Sequence, residues 1–189
     1  MNRITFSIAL LFLLVLALNL PTWMADEELA PKEQTEDAWQ PNYQATTMLS
    51  TLYDEDGKIN HQVFALKMEH FELLGFTLFK QPKYTIFVNE QQPWRVEASE
   101  GTLYEDNRIQ FETDVLITSV DQEGYVQSIR TSFIEVNLNE KTMTSDQPVV
   151  ITGQNYTISS NGLTASLKTQ QYELLDHVQT VYQPNTGPH

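Results

Sequence analysis

The chain has 189 residues, enough for one domain with an appendage. Its 11 Lys and Arg against 25 Asp and Glu give a formal charge of −14, which leaves no cationic excess to displace phosphate counterions and argues against nucleic acid as a partner. It has no Cys, which excludes disulfides, Cys-type zinc sites, iron–sulfur clusters, thiol catalysis and a lipoprotein anchor.

Residues 1–25 read as a membrane segment. After Arg3, residues 4–25 form a run of 22 uncharged positions. As a helix this run would be ~33 Å long, against ~30 Å for the hydrocarbon core of a bilayer. A cleaved signal peptide and an uncleaved anchor both fit the run. Cleavage after Ala25 would place Trp23 where a small side chain is wanted, and the run is long for a signal, so the anchor is favoured. Arg3 lies before it, and Asp26, Glu27 and Glu28 follow. The charge asymmetry predicts a cytoplasmic N-terminus and an exported remainder, which carries 10 basic and 25 acidic residues.

Residues 26–47 carry seven charges, two prolines and no apolar periodicity, and are expected to be a tether. From Met48 to about residue 183 the pattern becomes short alternating runs, followed by a tail at 184–189. Phe64-x-Leu66-x-Met68, Tyr84-x-Ile86-x-Val88, Trp94-x-Val96-x-Ala98, Ile109-x-Phe111 and Ile134-x-Val136-x-Leu138 are examples. Breaks such as Asp54–Gly57, Gln81-Pro82, Asp121–Gly124, Gln147-Pro148 and Asn161-Gly162 separate them. Period-2 runs broken every eight to fifteen residues predict an all-β sandwich, jelly roll or solenoid. Residues 65–75 are the one helical contender beyond the anchor, and their flanks favour strand.

A weak repeat underlies this pattern. Val63-x-Ala65, Val96-x-Ala98, Ile129-x-Thr131 and Ile158-x-Ser160 recur at steps of 33, 33 and 29 residues. Stacked units of this kind would leave an unpaired strand at each end of the array, open to completion by a partner.

Chemistry-bearing motifs are missing. His61, His70, His177 and His189 make no metal-ligand spacing, and read as surface or strand-end residues. No P-loop, G-x-S-x-G, G-x-G-x-x-G or H-E-x-x-H is present. The acidic clusters Asp54–Asp56 and Glu105-Asp106 fall at turns. No enzyme, cofactor or metal is expected. The apolar strand residues read either as an ordinary core or as a lipid groove between two walls. An acidic domain would have to hold an anionic lipid by its acyl chains. An anchored carbohydrate-binding jelly roll is a further, weakly supported reading.

Several short pieces occur in a telling order: Leu52-Tyr53 with Asp56-Gly57; Phe79–Pro82; Trp94–Ala98; Asp106–Arg108; Ile129–Thr131; Thr142–Asp146; Val149 with Gly153; Ser159–Leu163; and Glu173-Leu174 with Val178, Thr180 and Tyr182. Behind a single N-terminal anchor, this order resembles the LptC family of the lipopolysaccharide export machinery. The resemblance implies a twisted, open β-jellyroll of many short antiparallel strands, set in the periplasm and held by an inner-membrane helix. It implies that lipopolysaccharide is received from the LptB–LptF–LptG transporter and passed to LptA. Under it, Met48, Leu52 and Tyr53 mark the transporter side. Gly153, Tyr172, Val178, Thr180 and Tyr182 mark the LptA side, where a partner strand would be added. Inward candidates for acyl contact, chosen by alternation, are Phe64, Leu66, Met68, Phe79, Trp94, Val96, Ala98, Phe111 and Val136. A structural adaptor without lipid contact is the competing expectation. The tether at 26–47 matches nothing in the family pattern.

Overall fold

Alternation and β-branched content put most of residues 43–182 into strands. The computed structural model describes residues 38–88, 93–119 and 126–182, together with Leu13 and Leu16. The chain divides into two units, Met1–Asp37 and Ala38–His189. In the first, only Leu13 and Leu16 are described, and both are helical. The rest of the expected membrane segment, the tether up to residue 37 and the tail 184–189 lie outside the described residues. Among the described residues no helix is long and apolar enough to cross a membrane.

The described residues of the second unit form an antiparallel β structure of fourteen strands. In chain order they are β1 (Tyr43–Tyr53), β2 (Ile59–Phe71), β3 (Phe76–Lys80), β4 (Lys83–Ile86), β5 (Trp94–Glu97), β6 (Glu100–Tyr104), β7 (Arg108–Ser119), β8 (Val126–Asn137), β9 (Thr142–Ser145), β10 (Val149–Gly153), β11 (Tyr156–Ser160), β12 (Leu163–Ser166), β13 (Gln171–Leu174) and β14 (Gln179–Tyr182). The first strand therefore takes in residues 43–47 as well. Not all strands are short: β1, β2, β7 and β8 run 11 to 13 residues. The helical contender is strand up to Phe71, then a single 3₁₀ turn at Glu72–Leu74.

Pairing shows one continuous sheet bent into two layers. The second half of β2 pairs with β3, and its first half with β4. Likewise β7 meets β6 with its first half and β5 with its second. β8 meets β10 with its first half and β9 with its second. The chain thus makes nine antiparallel passes: β1, β2, β3–β4, β5–β6, β7, β8, β9–β10, β11–β12 and β13–β14. Each pass contributes to a front layer and a back layer, and both layers keep the same order.

The two kinds of corner differ. Four of the five passes going front to back turn through left-handed residues: Thr47 (φ 52°), Gln81 (φ 48°), Thr113 and Asp114, and Asp176 and His177; the β9–β10 pass turns at residues 146–148 without one. In β7 the ladder shifts there, between Glu112 and Val115. Passes going back to front hold no left-handed residue among the described ones. They bend instead at Ala65, Ala98, Thr131 and Ser160, the small residues of the sequence repeat. Three residues on from each small residue lies Met68, Gly101, Ile134 or Leu163. The inward-facing parity therefore advances by one at each of these corners. Polar corner side chains satisfy the bent backbone: Ser145 Oγ donates to the Phe133 carbonyl at 2.7 Å, and Ser160 Oγ to that of Gly162 at 2.9 Å.

Cross-strand ladders build the core. In the back layer Val63, Tyr84, Val96, Ile117, Ile129 and Ile151 stand opposite one another in succession. In the front layer Met68, Phe79, Gly101, Phe111 and Ile134 do the same. A second front ladder runs Leu103, Ile109, Val136, Met143, Ala165 and Tyr172. All of these but Gly101 and the exposed Tyr172 belong to one apolar core, and Tyr84 meets Phe111 edge-on across the layers with centroids 5.8 Å apart.

Alternation misplaces two residues of β2. Val63 and Ala65 are buried, while Leu66 is 45% exposed and Phe64 takes the opposite parity to its buried neighbours. Phe64 and Leu66 therefore face away from the core. The corner is the cause: the run Phe64-x-Leu66-x-Met68 crosses it, and only Met68 lies in phase with the interior.

Candidate functional site

The candidate site is the interior between the layers together with its two open ends. Of the inward candidates, Phe79, Val96, Phe111 and Val136 are buried in the core, and Met68, Trp94 and Ala98 pack against it. At the centre the layers are closed on each other, since Tyr84, Val96, Phe111 and Val136 have no exposed surface.

At the N-terminal end, β1 pairs only with β2 among the described residues. Met48 packs against the core, whereas Leu49, Leu52 and Tyr53 are exposed. At the C-terminal end there are two open edges among the described residues, because there β13 pairs only with β12 and β14 only with β11. Tyr172 lies on the first edge, Thr180 and Tyr182 on the second, and Val178 just before β14. Tyr172, Val178, Val181 and Tyr182 are exposed apolar or aromatic residues there. Gly153 does not share this edge. It is buried at the end of β10, opposite Val126, and β11 with β14 separates it from the open side.

Opposite the corners, the free margins of the two layers meet along a seam. Lys141, in the turn after β8, donates to the side-chain oxygen of Asn60 at the start of β2. Nearer the C-terminal end, Tyr156 shares a side-chain hydrogen bond with Tyr172, and burial, followed by the charge and the hydrogen bond of Tyr172, raises the Tyr156 phenol. Lys141 is almost fully buried, and its ammonium is pulled below its ordinary range by burial and by Lys168, against an opposing effect of Asp54.

Beneath this seam lies a polar group that alternation does not reveal. His61 is not a surface histidine. It stacks on Tyr84 with centroids 5.1 Å apart, and burial aided by Lys141 lowers its imidazole to about 4. Its Nδ1 and the Tyr84 hydroxyl are buried without a hydrogen-bond partner among the described residues. His70 stacks on Tyr43 and its Nδ1 lies 2.9 Å from Thr77 Oγ1; His177 Nδ1 is 3.2 Å from the Asn161 amide. His189 lies outside the described residues. Asp54 Oδ1 accepts from the Asp56 and Lys58 amides, so this carboxylate serves the β1–β2 turn.

Residues 9–183 match the family described as "Lipopolysaccharide-assembly, LptC-related". The chain belongs to the LptC family. Among curated LptC-family relatives, the lipopolysaccharide export system protein LptC of Haemophilus influenzae is 27% identical over 161 residues, covering 76% of this chain and 77% of that protein. The LptC protein of Escherichia coli (strain K12) is 23% identical over 144 residues, covering 76% and 75%. The LptC-family fold seen here is similar to the crystal structure of LptH, the LptA-homologous periplasmic component of the lipopolysaccharide transport device of Pseudomonas aeruginosa. That likeness has a TM-score of 0.54 at 10% identity, and covers 66% of this chain and 95% of LptH.

Proposed function

We propose that this LptC-family chain is a non-enzymatic relay in lipopolysaccharide export, anchored in the inner membrane by residues 4–25 with its β unit in the periplasm. Family membership supports the broad role in lipopolysaccharide transport. In the finer reading, the β1 end receives lipid from the LptB–LptF–LptG transporter, and the β13 and β14 edges add strands of LptA. The observation that carries this reading is the apolar interior that continues through every pass from β1 to the C-terminal edges. Each CH₂ exposed to water costs ~0.8 kcal/mol, so a multi-chain lipid needs an unbroken apolar route between proteins. Because the central interior is closed, the layers part along the seam to admit acyl chains.

The same closure favours a second reading, an adaptor that joins transporter and LptA without touching lipid. A photo-crosslinker at Phe79 and at Trp94 in the assembled transporter separates the two. ATP-dependent lipopolysaccharide adducts are the relay outcome; their absence at both sites leaves the adaptor. The edge assignment has its own check. Thr180→Asp, on β14, is expected to lower LptA recovery while the transporter stays bound, and undiminished LptA would refute it.

A further inference from the structure

Proteins rarely leave a buried polar group unpaired, and those that do concentrate such groups where something else binds. Tyr84 has no exposed surface, stands in an otherwise aliphatic back ladder, and its hydroxyl has no partner among the described residues. Phe in its place would keep the edge contact with Phe111 and remove the unpaired oxygen. The stacked His61 carries the second unpaired atom, Nδ1. Its neighbour in sequence, Asn60, holds Lys141 at the seam, so the pair lies directly behind the contact that must open for entry.

We infer that Tyr84 and His61 form a polar subsite inside the apolar interior that takes the linkage of an acyl chain to its headgroup. This rests on the proposed lipid relay. The Tyr84 hydroxyl donates to the linkage carbonyl, and neutral His61 accepts through Nδ1. An amide linkage engages both groups, because it offers a carbonyl oxygen on one edge and an N–H on the other. An ester engages only Tyr84. The subsite thus fixes how far the chains slide in, and favours N-acylated over purely ester-linked lipids.

The test is Tyr84→Phe in the full-length chain assembled with its transporter, with the crosslinker at Phe79. The probes are purified lipopolysaccharide and the same material treated with mild alkali, which removes ester-linked chains and leaves the amide-linked ones. The expected result is crosslinking reduced about five- to tenfold with both probes, the scale of one lost hydrogen bond, with a melting temperature unchanged or raised. Equal crosslinking by wild type and variant would overturn the subsite and leave the relay standing. A lowered melting temperature would also overturn it, since the hydroxyl would then serve the fold. Absence of wild-type crosslinking would remove the relay and the subsite together. His61→Phe supplies the second arm, with the larger loss expected on the alkali-treated probe; equal loss on both would refute the amide preference.

Discussion

Lys141 donates to the side chain of Asn60 across 81 positions of sequence, joining the margin of the front layer to that of the back. The contact closes a seam whose other wall is made by the corners of a continuous chain. In the proposed relay it is the contact that breaks when the two layers part.

Lys141→Ala is expected to cost about 1–2 kcal/mol, through one lost hydrogen bond and the packing of the stem. Lys141 also has left-handed backbone, with φ of 60°. Lys141→Gly removes the same side chain and relieves that strain, so it should be the milder variant by about 0.5–1 kcal/mol. Hydrogen exchange should accelerate at Asn60–Phe64 and at residues 138–141, with little change in β5 and β6. Uniform acceleration would show that the contact is not a local closure.

His61 makes stability depend on pH. In the unfolded chain it protonates near 6.5, and in the folded chain only near 4. Between those values the unfolded state binds more protons, so stability falls as pH drops from 6.5 to 4. Partial exposure of the ring trims the loss to about 2 kcal/mol. Urea midpoints measured across this window should decline for wild type and stay flatter for His61→Phe.

The two parities of β2 give a sharp contrast. Val63→Asp places an unpaired charge in the back ladder and is expected to cost about 3–5 kcal/mol or to prevent folding. Leu66→Asp lies only three residues on, yet faces water, and should change stability by less than about 1 kcal/mol. Similar urea midpoints for the two variants would refute the register.

Gly101 stands between Phe79 and Phe111 in the front ladder. A Cβ there would lie 3.1 Å from Pro82 Cγ and 3.5 Å from the Phe111 ring. Gly101→Val should therefore cost about 1–3 kcal/mol by overpacking. Trimming Phe111 to Leu in the same chain should recover part of that loss, which a thermal melt of the double variant checks.

Much of this architecture is legible in the residues. The period-2 runs mark strands, and the pairs from Val63-x-Ala65 to Ile158-x-Ser160 mark each back-to-front corner. Strand phase across a corner is not legible, because alternation carries no sign of a bend. Phe64 and Leu66 fall at the bend and face away from the core, while Met68, beyond it, packs against the core. Gly153 lies near the C-terminal edge in sequence, but it is held inside by β8 and β11. Asn60 with Lys141, and His61 with Tyr84, emerge only once distant passes are laid over one another.

The last pass ends in two strands, β13 and β14, one in each layer, joined through left-handed Asp176 and His177. The exposed end is thus a pair of edges joined by a bend rather than a single edge. A straight peptide fills one edge and leaves the other wet. Under the proposed strand addition, only a chain that bends where this one bends, at matching length, would seat in both, and the kink would serve as a key against stray β-strands.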